Sequence, residues 1–323
     1  MKAMLMRQWG EPSQLEYAEL DRAAPAPDEV RVDVRAIGCN LPDILIVQGK
    51  YQRRPPLPFV PGWEVAGVVE SVGGAVKDLA PGDRVFALPG LGAYADSVCV
   101  PAAQTYRLPP ELSFEQGTAF GLVYLTSYVA LVERGHLRAG ETLLVHGAAG
   151  GVGLAAVQIG KALLARVIAC ASSAEKREVA RRAGADVMLD SGGDWVEGVK
   201  AATGGAGADV IYDPVGGDVF DGSMKCIAFE GRLLVVGFAG GRIADVATNR
   251  ILLKNVAVIG VHLGLYRQQR PEQARRWMTD LLALAAAHRM QPVVFKTFPL
   301  REAAQALGVL AGRASYGKVV LIP

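Results

Sequence analysis

The pattern of apolar and polar positions changes character twice along this 323-residue chain. Up to about residue 120 the apolar positions come in short runs. Val30-Arg31-Val32-Asp33-Val34 alternates strictly, and Val65-Ala66-Gly67-Val68-Val69 and Asp83-Arg84-Val85-Phe86-Ala87 are similar in length. Turn signals separate them, among them Pro61-Gly62, Gly73-Gly74, Pro81-Gly82 and Pro109-Pro110. Short strands punctuated by Gly and Pro predict a barrel-like β domain.

After Gly121 apolar strands alternate with amphipathic helices. Thr142 to His146 reads as a strand and Gly151 to Leu164 as a helix. Val167 to Ala171 is again a strand, followed by a helix from Ala174 to Ala183 that Gly184 stops. Further strands are expected near Val187 to Leu189, Val210 to Tyr212, Leu233 to Val236 and Val256 to Gly260. Unbroken Val/Ile/Leu strands with helices between them predict a parallel sheet covered on both faces, a doubly wound α/β domain. The remaining residues return to the first style, with a helix from Pro271 to His288 and a closing strand from Lys318 to Ile322. The expected organisation is therefore a split domain, residues 1–121 and 262–323, around an inserted α/β domain at 122–261.

The first βα junction of the inserted domain reads Val145-His146-Gly147-Ala148-Ala149-Gly150-Gly151-Val152-Gly153. It closes a strand and opens a helix, the setting of a dinucleotide-binding fingerprint. Ala148 stands where the first glycine of G-x-G-x-x-G is usual. Gly150 allows close approach to a pyrophosphate, Gly153 allows helix–sheet packing, and the helix amino terminus offers N–H groups to the phosphates. An NAD site normally ends its second strand with an acid. This strand ends Cys170-Ala171-Ser172-Ser173, and Glu175 has capping-box spacing from Ser172. Lys176 and Arg177 place positive charge in the first helical turn, against the helix dipole, where a 2′-phosphate would favour them. NADPH is the expected cofactor.

Composition narrows the class. Hydrophobic residues make up 51% and charged residues 20%, which predicts a large core and argues against disorder. Lys plus Arg is 34 against 32 for Asp plus Glu, so bulk charge predicts neither a nucleic-acid nor a membrane partner. The first ten residues carry no apolar run of signal length, and the apolar stretch from Ala119 to Val132 is too short to span a bilayer. A cytoplasmic protein is the expectation. Cys39, Cys99, Cys170 and Cys226 form no C-x-x-C pair, and His136, His146, His262 and His288 show no ligand spacing. These predict neither a disulfide framework nor a metal site.

The motifs together resemble the medium-chain dehydrogenase/reductase superfamily, and within it the zinc-free quinone oxidoreductase branch. The matching stretches run in order along the chain. They are Asn40-Leu41-Pro42-Asp43, Gln48-Gly49-Lys50-Tyr51, Pro61-Gly62-Trp63-Glu64-Val65-Ala66-Gly67 and Gly82-Asp83-Arg84-Val85, then Leu125-Thr126-Ser127-Tyr128, the glycine-rich turn, Asp213-Pro214-Val215-Gly216-Gly217 and Tyr316-Gly317-Lys318-Val319-Val320. The resemblance implies a GroES-like β-barrel catalytic domain beside a Rossmann-type domain. Zinc members carry Cys where Asn40 stands and His where Trp63 stands, and a third ligand near Leu122 to Tyr124; none is present. No metal is expected.

The same resemblance implies site roles. Asn40 would line the nicotinamide end of the cleft, Thr126 would pack on the nicotinamide ring, and Tyr51 would contact acceptor oxygen. Cofactor contacts are implied at Asn40, Thr126, Ala149, Gly150, Gly151, Val152, Ser172, Lys176, Ser191, Val215, Gly237, Phe238 and Lys318. Asp43 reads as structural. Some members carry tyrosine in the registers of Leu45 and Ser191, and Trp63 is bulky for its place. Without a Lewis acid to hold an alkoxide, reduction of a conjugated acceptor is the easier chemistry, a quinone first. The alternatives are an NADPH-dependent enoyl reductase acting on α,β-unsaturated carbonyls or thioesters, and a non-catalytic NADPH- or nucleic-acid-binding protein. The strand near Val256 to Val261 is apolar on both faces, and a homodimer paired through it is expected.

Overall fold

The computed structural model describes Met1 to Pro323 and divides into two compact units. The first holds Met1–Leu122 with Gln291–Pro323, the second Val123–Met290. The return to the first unit comes at Gln291, later than the 262 expected from sequence. Helix α9 below is the reason. Its stripe Ala274, Trp277, Met278 and Leu281 is buried within the second unit, and Trp277 stands edge-on to Tyr266 at 5.1 Å.

The first unit contains strands β1 (Lys2–Leu5), β2 (Glu16–Glu19), β3 (Glu29–Gly38), β4 (Val65–Val72), β5 (Arg84–Ala87), β6 (Ser97–Pro101) and β7 (Thr105–Arg107). Helix α1 (Leu41–Val47) follows β3, and α2 (Phe114–Tyr128) begins here and runs into the second unit. The end of the chain returns with β14 (Val294–Pro299), α10 (Ala303–Ala311) and β15 (Lys318–Ile322). Seven strands form a mixed sheet in the order β14-β15-β3-β4-β5-β7, with β6 also paired to β3; β1 and β2 pair separately. Alternation in β3 turns Val30, Val32 and Val34 into a core that also takes Ile37, Val65, Val69, Val85, Phe298, Val319 and Leu321. Pairing of β15 with β3 brings the two distant chain ends into one sheet, at Val320 against Gly38.

The second unit is built from β8 (Thr142–Val145), α3 (Gly151–Ala162), β9 (Arg166–Ala171), α4 (Ala174–Arg182), β10 (Val187–Asp190), α5 (Trp195–Ala202), β11 (Ala208–Asp213), α6 (Asp218–Cys226), β12 (Ile227–Val235), α7 (Thr248–Lys254) and β13 (Ala257–Gly260). Helices α8 (Leu263–Gln269) and α9 (Pro271–His288) complete it. The sheet is wholly parallel, in the order β10-β9-β8-β11-β12-β13. That order is the Rossmann-type doubly wound arrangement, and it reverses between β8 and β11, where such folds bind ligands. Leu143, Leu144, Val145, Val167, Ile168, Ala169, Val210 and Ile211 are fully buried, as strands covered on both faces must be.

Candidate functional site

In the second unit, the carboxyl ends of β8, β11 and β12 carry three turns. The first is the glycine-rich one. Gly147 takes φ +55°, so it supplies the sharp reversal that the missing first glycine would have served. A Cβ on Gly153 would lie 2.2 Å from the Gly147 carbonyl oxygen and 2.7 Å from Ala148 Cα. Glycine is therefore required for α3 to start this close to the strand. Gly150 is the extended residue before α3 and is exposed; Gly151 and Val152 open the helix half-buried, and Ala149 is buried. The first N–H groups of a helix lack intrahelical partners, and a helix that starts at the end of a strand offers them to a pyrophosphate.

The second turn follows β11. Buried Asp213 accepts from Val215 N–H at 2.8 Å and Gly216 N–H at 2.9 Å, and burial raises its pKa. Gly216 and Gly217 adopt positive φ, 72° and 58°, which bends the chain into α6. The third turn bonds to the second: Ala239 N–H donates to Pro214 O at 3.0 Å and Gly240 N–H to Val215 O at 2.8 Å. Val215, Gly237 and Phe238 thereby fall on two neighbouring turns, with Phe238 44% exposed. His146, just before the first turn, is buried with its Nε2 2.9 Å from Ser223 Oγ and its ring edge-on to Trp195. The Ser223 hydroxyl donates to Val219 O at 2.8 Å, so Nε2 carries the proton it shares with Ser223. Burial lowers the imidazole pKa to about 3, and His146 is a neutral brace at working pH.

Thr126 lies half-buried on α2 beside Ser127. The Ser127 hydroxyl donates to Val152 O at 2.9 Å and lies 2.9 Å from the Tyr212 hydroxyl. Since the Ser127 proton serves Val152, Tyr212 donates to Ser127. This chain ties the Thr126 segment to the first turn of α3 and to β11.

At the ends of β9 and β10 lie the residues expected from sequence at the adenosine end. Helix α4 is capped by Ser173, whose hydroxyl accepts from Lys176 N–H at 3.2 Å; Ser172 is not the cap. The expected Ser172–Glu175 box is therefore one residue out, because Ser173 is the extended residue directly before the helix. Ser172 and Ser191 are exposed, and Lys176 half-buried. Arg177 donates to Ala171 O at 3.3 Å and pairs with Asp190 at 3.0 Å.

In the first unit, Asn40, Glu64 and Lys318 form a buried cluster, and all three are under 8% exposed. Lys318 Nζ lies 2.5 Å from Glu64 Oε1 and donates to Asn40 Oδ1 at 2.6 Å. Asn40 Nδ2 donates to Glu64 Oε1 at 2.8 Å and to Gly38 O at 3.3 Å. Leu122 N–H donates to the other Glu64 oxygen at 2.9 Å. Both amide hydrogens of Asn40 are thus engaged, and a role for it as donor to an acceptor oxygen does not follow. Glycine at 38 is part of the cluster, because a Cβ there would lie 2.6 Å from both Glu64 Oε1 and Thr118 Oγ1.

Asp43, fully buried, accepts from Asn40 N–H at 2.7 Å and from the Tyr94 hydroxyl at 3.0 Å through one oxygen. Its other oxygen has no partner, and burial pushes its pKa up to about 7. Cys39 is buried and its thiol is pushed up to about 12 by burial, which makes it a packing residue. Tyr51 is half-buried, edge-on to Trp63 at 5.5 Å, and burial with the nearby Asp43 raises its pKa. Sequence reasoning missed Glu64 and Tyr94. Glu64 was within a quoted motif, but nothing local signals that its partner is Lys318.

With this geometry in hand, the chain matches the model of the alcohol dehydrogenase GroES-like domain over residues 26–110 and that of the zinc-binding dehydrogenases over 151–280. It is 40% identical over 297 residues to the quinone oxidoreductase-like protein 2 of Bos taurus, covering 91% of this chain and 85% of that protein. The crystal structure of Escherichia coli quinone oxidoreductase complexed with NADPH superposes with a TM-score of 0.92 at 34% identity, over the full length of both chains. A probable oxidoreductase from Mycobacterium abscessus gives 0.91 at 39% identity, over 100% of this chain and 99% of that one.

The zinc implied by one matched model does not fit the residues present. An amide stands at 40 and an indole at 63, neither a zinc donor. The carboxylate of Glu64 is already paired with an ammonium, which would repel a dication. No group of three or more His, Cys, Asp or Glu side chains is placed to hold a metal ion. The dinucleotide does fit: the glycine-rich turn has the conformation and the missing Cβ atoms that a pyrophosphate requires.

Proposed function

From the premise that the chain belongs to the medium-chain dehydrogenase/reductase family, with quinone oxidoreductases as homologues, we propose that it reduces quinones with NADPH and without a metal. It is an oxidoreductase, and NADPH is its cofactor. The observation that carries the metal-free reading is the Lys318–Glu64–Asn40 cluster, which puts a buried cation where a Lewis acid would need donors.

Bound NADPH supplies a hydride, which with one proton converts a quinone to its hydroquinone. The chain's own residues bind and orient. Gly150, Gly151 and Val152 present N–H groups to the pyrophosphate, and Ala149, Val215, Gly237 and Phe238 line the turns beside it. Ser172, Lys176 and Ser191 would hold the adenosine end, and Thr126 would pack on the nicotinamide ring. Asn40, held by Glu64 and Lys318, is a positioning residue at the nicotinamide end. Tyr51 is the group that would hydrogen-bond acceptor oxygen: a phenol is protonated at neutral pH at its ordinary pKa, and burial with the nearby Asp43 raises that pKa further, so it holds the oxygen more readily than it gives up its proton. The hydroquinone anion is delocalised and takes its proton from water, so no strong acid is needed.

We infer also that the chain pairs with its own copy at β13. Val258 and Ile259 of this edge strand are half-exposed, and Leu252 and Leu253 on the preceding α7 are 74% and 79% exposed.

The test is an acceptor screen with NADPH: benzoquinone and phenanthrenequinone against enones and enoyl-thioesters. Quinone turnover well above the others is expected. Turnover of enoyl-thioesters alone would make the protein an enoyl reductase, and NADPH binding with no turnover would make it a binding protein.

A further inference from the structure

The end of β9 lacks the acid that reads ribose hydroxyls in NAD sites, yet a carboxylate does stand at that level. It comes from the neighbouring strand. Asp190 is the register partner of Ala171 across the parallel β9–β10 pair, one strand spacing away. Its placement is fixed from both sides. Asp190 Oδ1 accepts from Gly192 N–H at 2.9 Å, and Oδ2 takes Arg177 Nη1 at 3.0 Å. The Ala171 carbonyl accepts from Ser191 N–H at 3.2 Å and from the same Arg177 nitrogen at 3.3 Å. Arg177 is therefore folded down on the strand end by two acceptors, with its side chain 26% exposed and that of Asp190 49%.

Lys176 and Arg177 both lie in the first turn of α4, and Arg177 has its charge matched by Asp190. With Glu175 in the same turn, the four formal charges of the strand ends cancel. A phosphate with nearly two negative charges would meet a neutral cluster and a guanidinium already engaged.

Resting on the assignment of NADPH above, we propose that Asp190 is a specificity-determining residue that moderates the preference for NADPH over NADH by engaging Arg177. Asp190→Asn keeps an amide oxygen for Gly192 N–H and removes the charge that competes for Arg177. The site gains one net positive charge within a Debye length of the 2′-phosphate. NADPH affinity rises about threefold to tenfold, and NADH affinity, which has no 2′-phosphate to read, changes far less.

The experiment is equilibrium binding of NADPH and NADH, by quenching of intrinsic fluorescence, to the full chain. The variants are Asp190→Asn, Arg177→Ala and the double variant. The expected pattern is a gain in the NADPH-to-NADH affinity ratio for Asp190→Asn that vanishes in the double variant. A ratio that is unchanged or lower in Asp190→Asn overturns the inference, as does a gain that persists without Arg177. Wild-type protein that binds neither dinucleotide, or binds both equally, would instead overturn the cofactor assignment itself.

Discussion

Replacing Lys318 with methionine keeps the aliphatic stem and deletes the ammonium. Glu64 is then left 1% exposed with no cation, retaining only the Asn40 amide and Leu122 N–H as donors. Breaking a buried pair by removing one partner costs about 3–5 kcal/mol, because the surviving charge stays desolvated. For a unit of this size each kcal/mol lowers Tm by roughly 2–4 °C, so a fall of about 6–20 °C is expected. The assay is scanning calorimetry, in which the transition of the unit containing Glu64 is followed by itself, because a two-unit chain need not melt as one. Adding Glu64→Gln removes the stranded charge while leaving an acceptor for Leu122 N–H, and the double variant should recover much of the loss. A single variant costing less than about 1 kcal/mol, the range of an exposed pair, refutes the reasoning. So does a double variant no more stable than Lys318→Met.

Three further outcomes follow. Gly153→Ala drives a Cβ to 2.2 Å from the Gly147 carbonyl, and NADPH binding measured by titration should weaken at least roughly tenfold; retained affinity would show the turn yields. Asp43 has its pKa raised by burial to about 7 from 3.8, so folding takes up a proton between those values. Its stabilising contribution is complete below about pH 4 and is lost as pH rises to about 7, and Asp43→Asn should flatten that part of the stability–pH curve; an identical slope in the variant rules this out. Light scattering at micromolar concentration should give twice the chain mass, reduced by Val258→Lys with Leu253→Lys; a wild-type monomer throughout would remove the β13 interface.

Period and punctuation made the fold legible. The alternation of β3 and the unbroken apolar runs of β8, β9 and β11 named their sheets correctly, since burial on one face or two leaves different patterns. The glycine-rich turn was legible because its chemistry is local, and Gly147, Gly150 and Gly153 lie within one turn of chain. What escaped was non-local or decided by one residue. Lys318 is 278 positions from Asn40, and only the β15–β3 pairing brings them together. The cap of α4 passed to Ser173 from an equally good capping residue next to it, a choice made by where β9 ends. Helices α8 and α9 carry ordinary amphipathic patterns, which reveal a buried face but not the unit it packs in. Asp190 attracted no notice because an acid after a strand is common, and only its register with Ala171 gives it meaning.

The most direct test of metal-free, NADPH-driven quinone reduction measures stoichiometry and metal content on one sample. Protein dialysed against chelator and checked by elemental analysis is mixed anaerobically with NADPH and benzoquinone, and both NADPH loss and hydroquinone formation are followed. The account predicts one hydroquinone per NADPH, at an undiminished rate, with no stoichiometric zinc. A rate that disappears with the chelated metal and returns on adding zinc, or NADPH that is never consumed with any quinone, would contradict it.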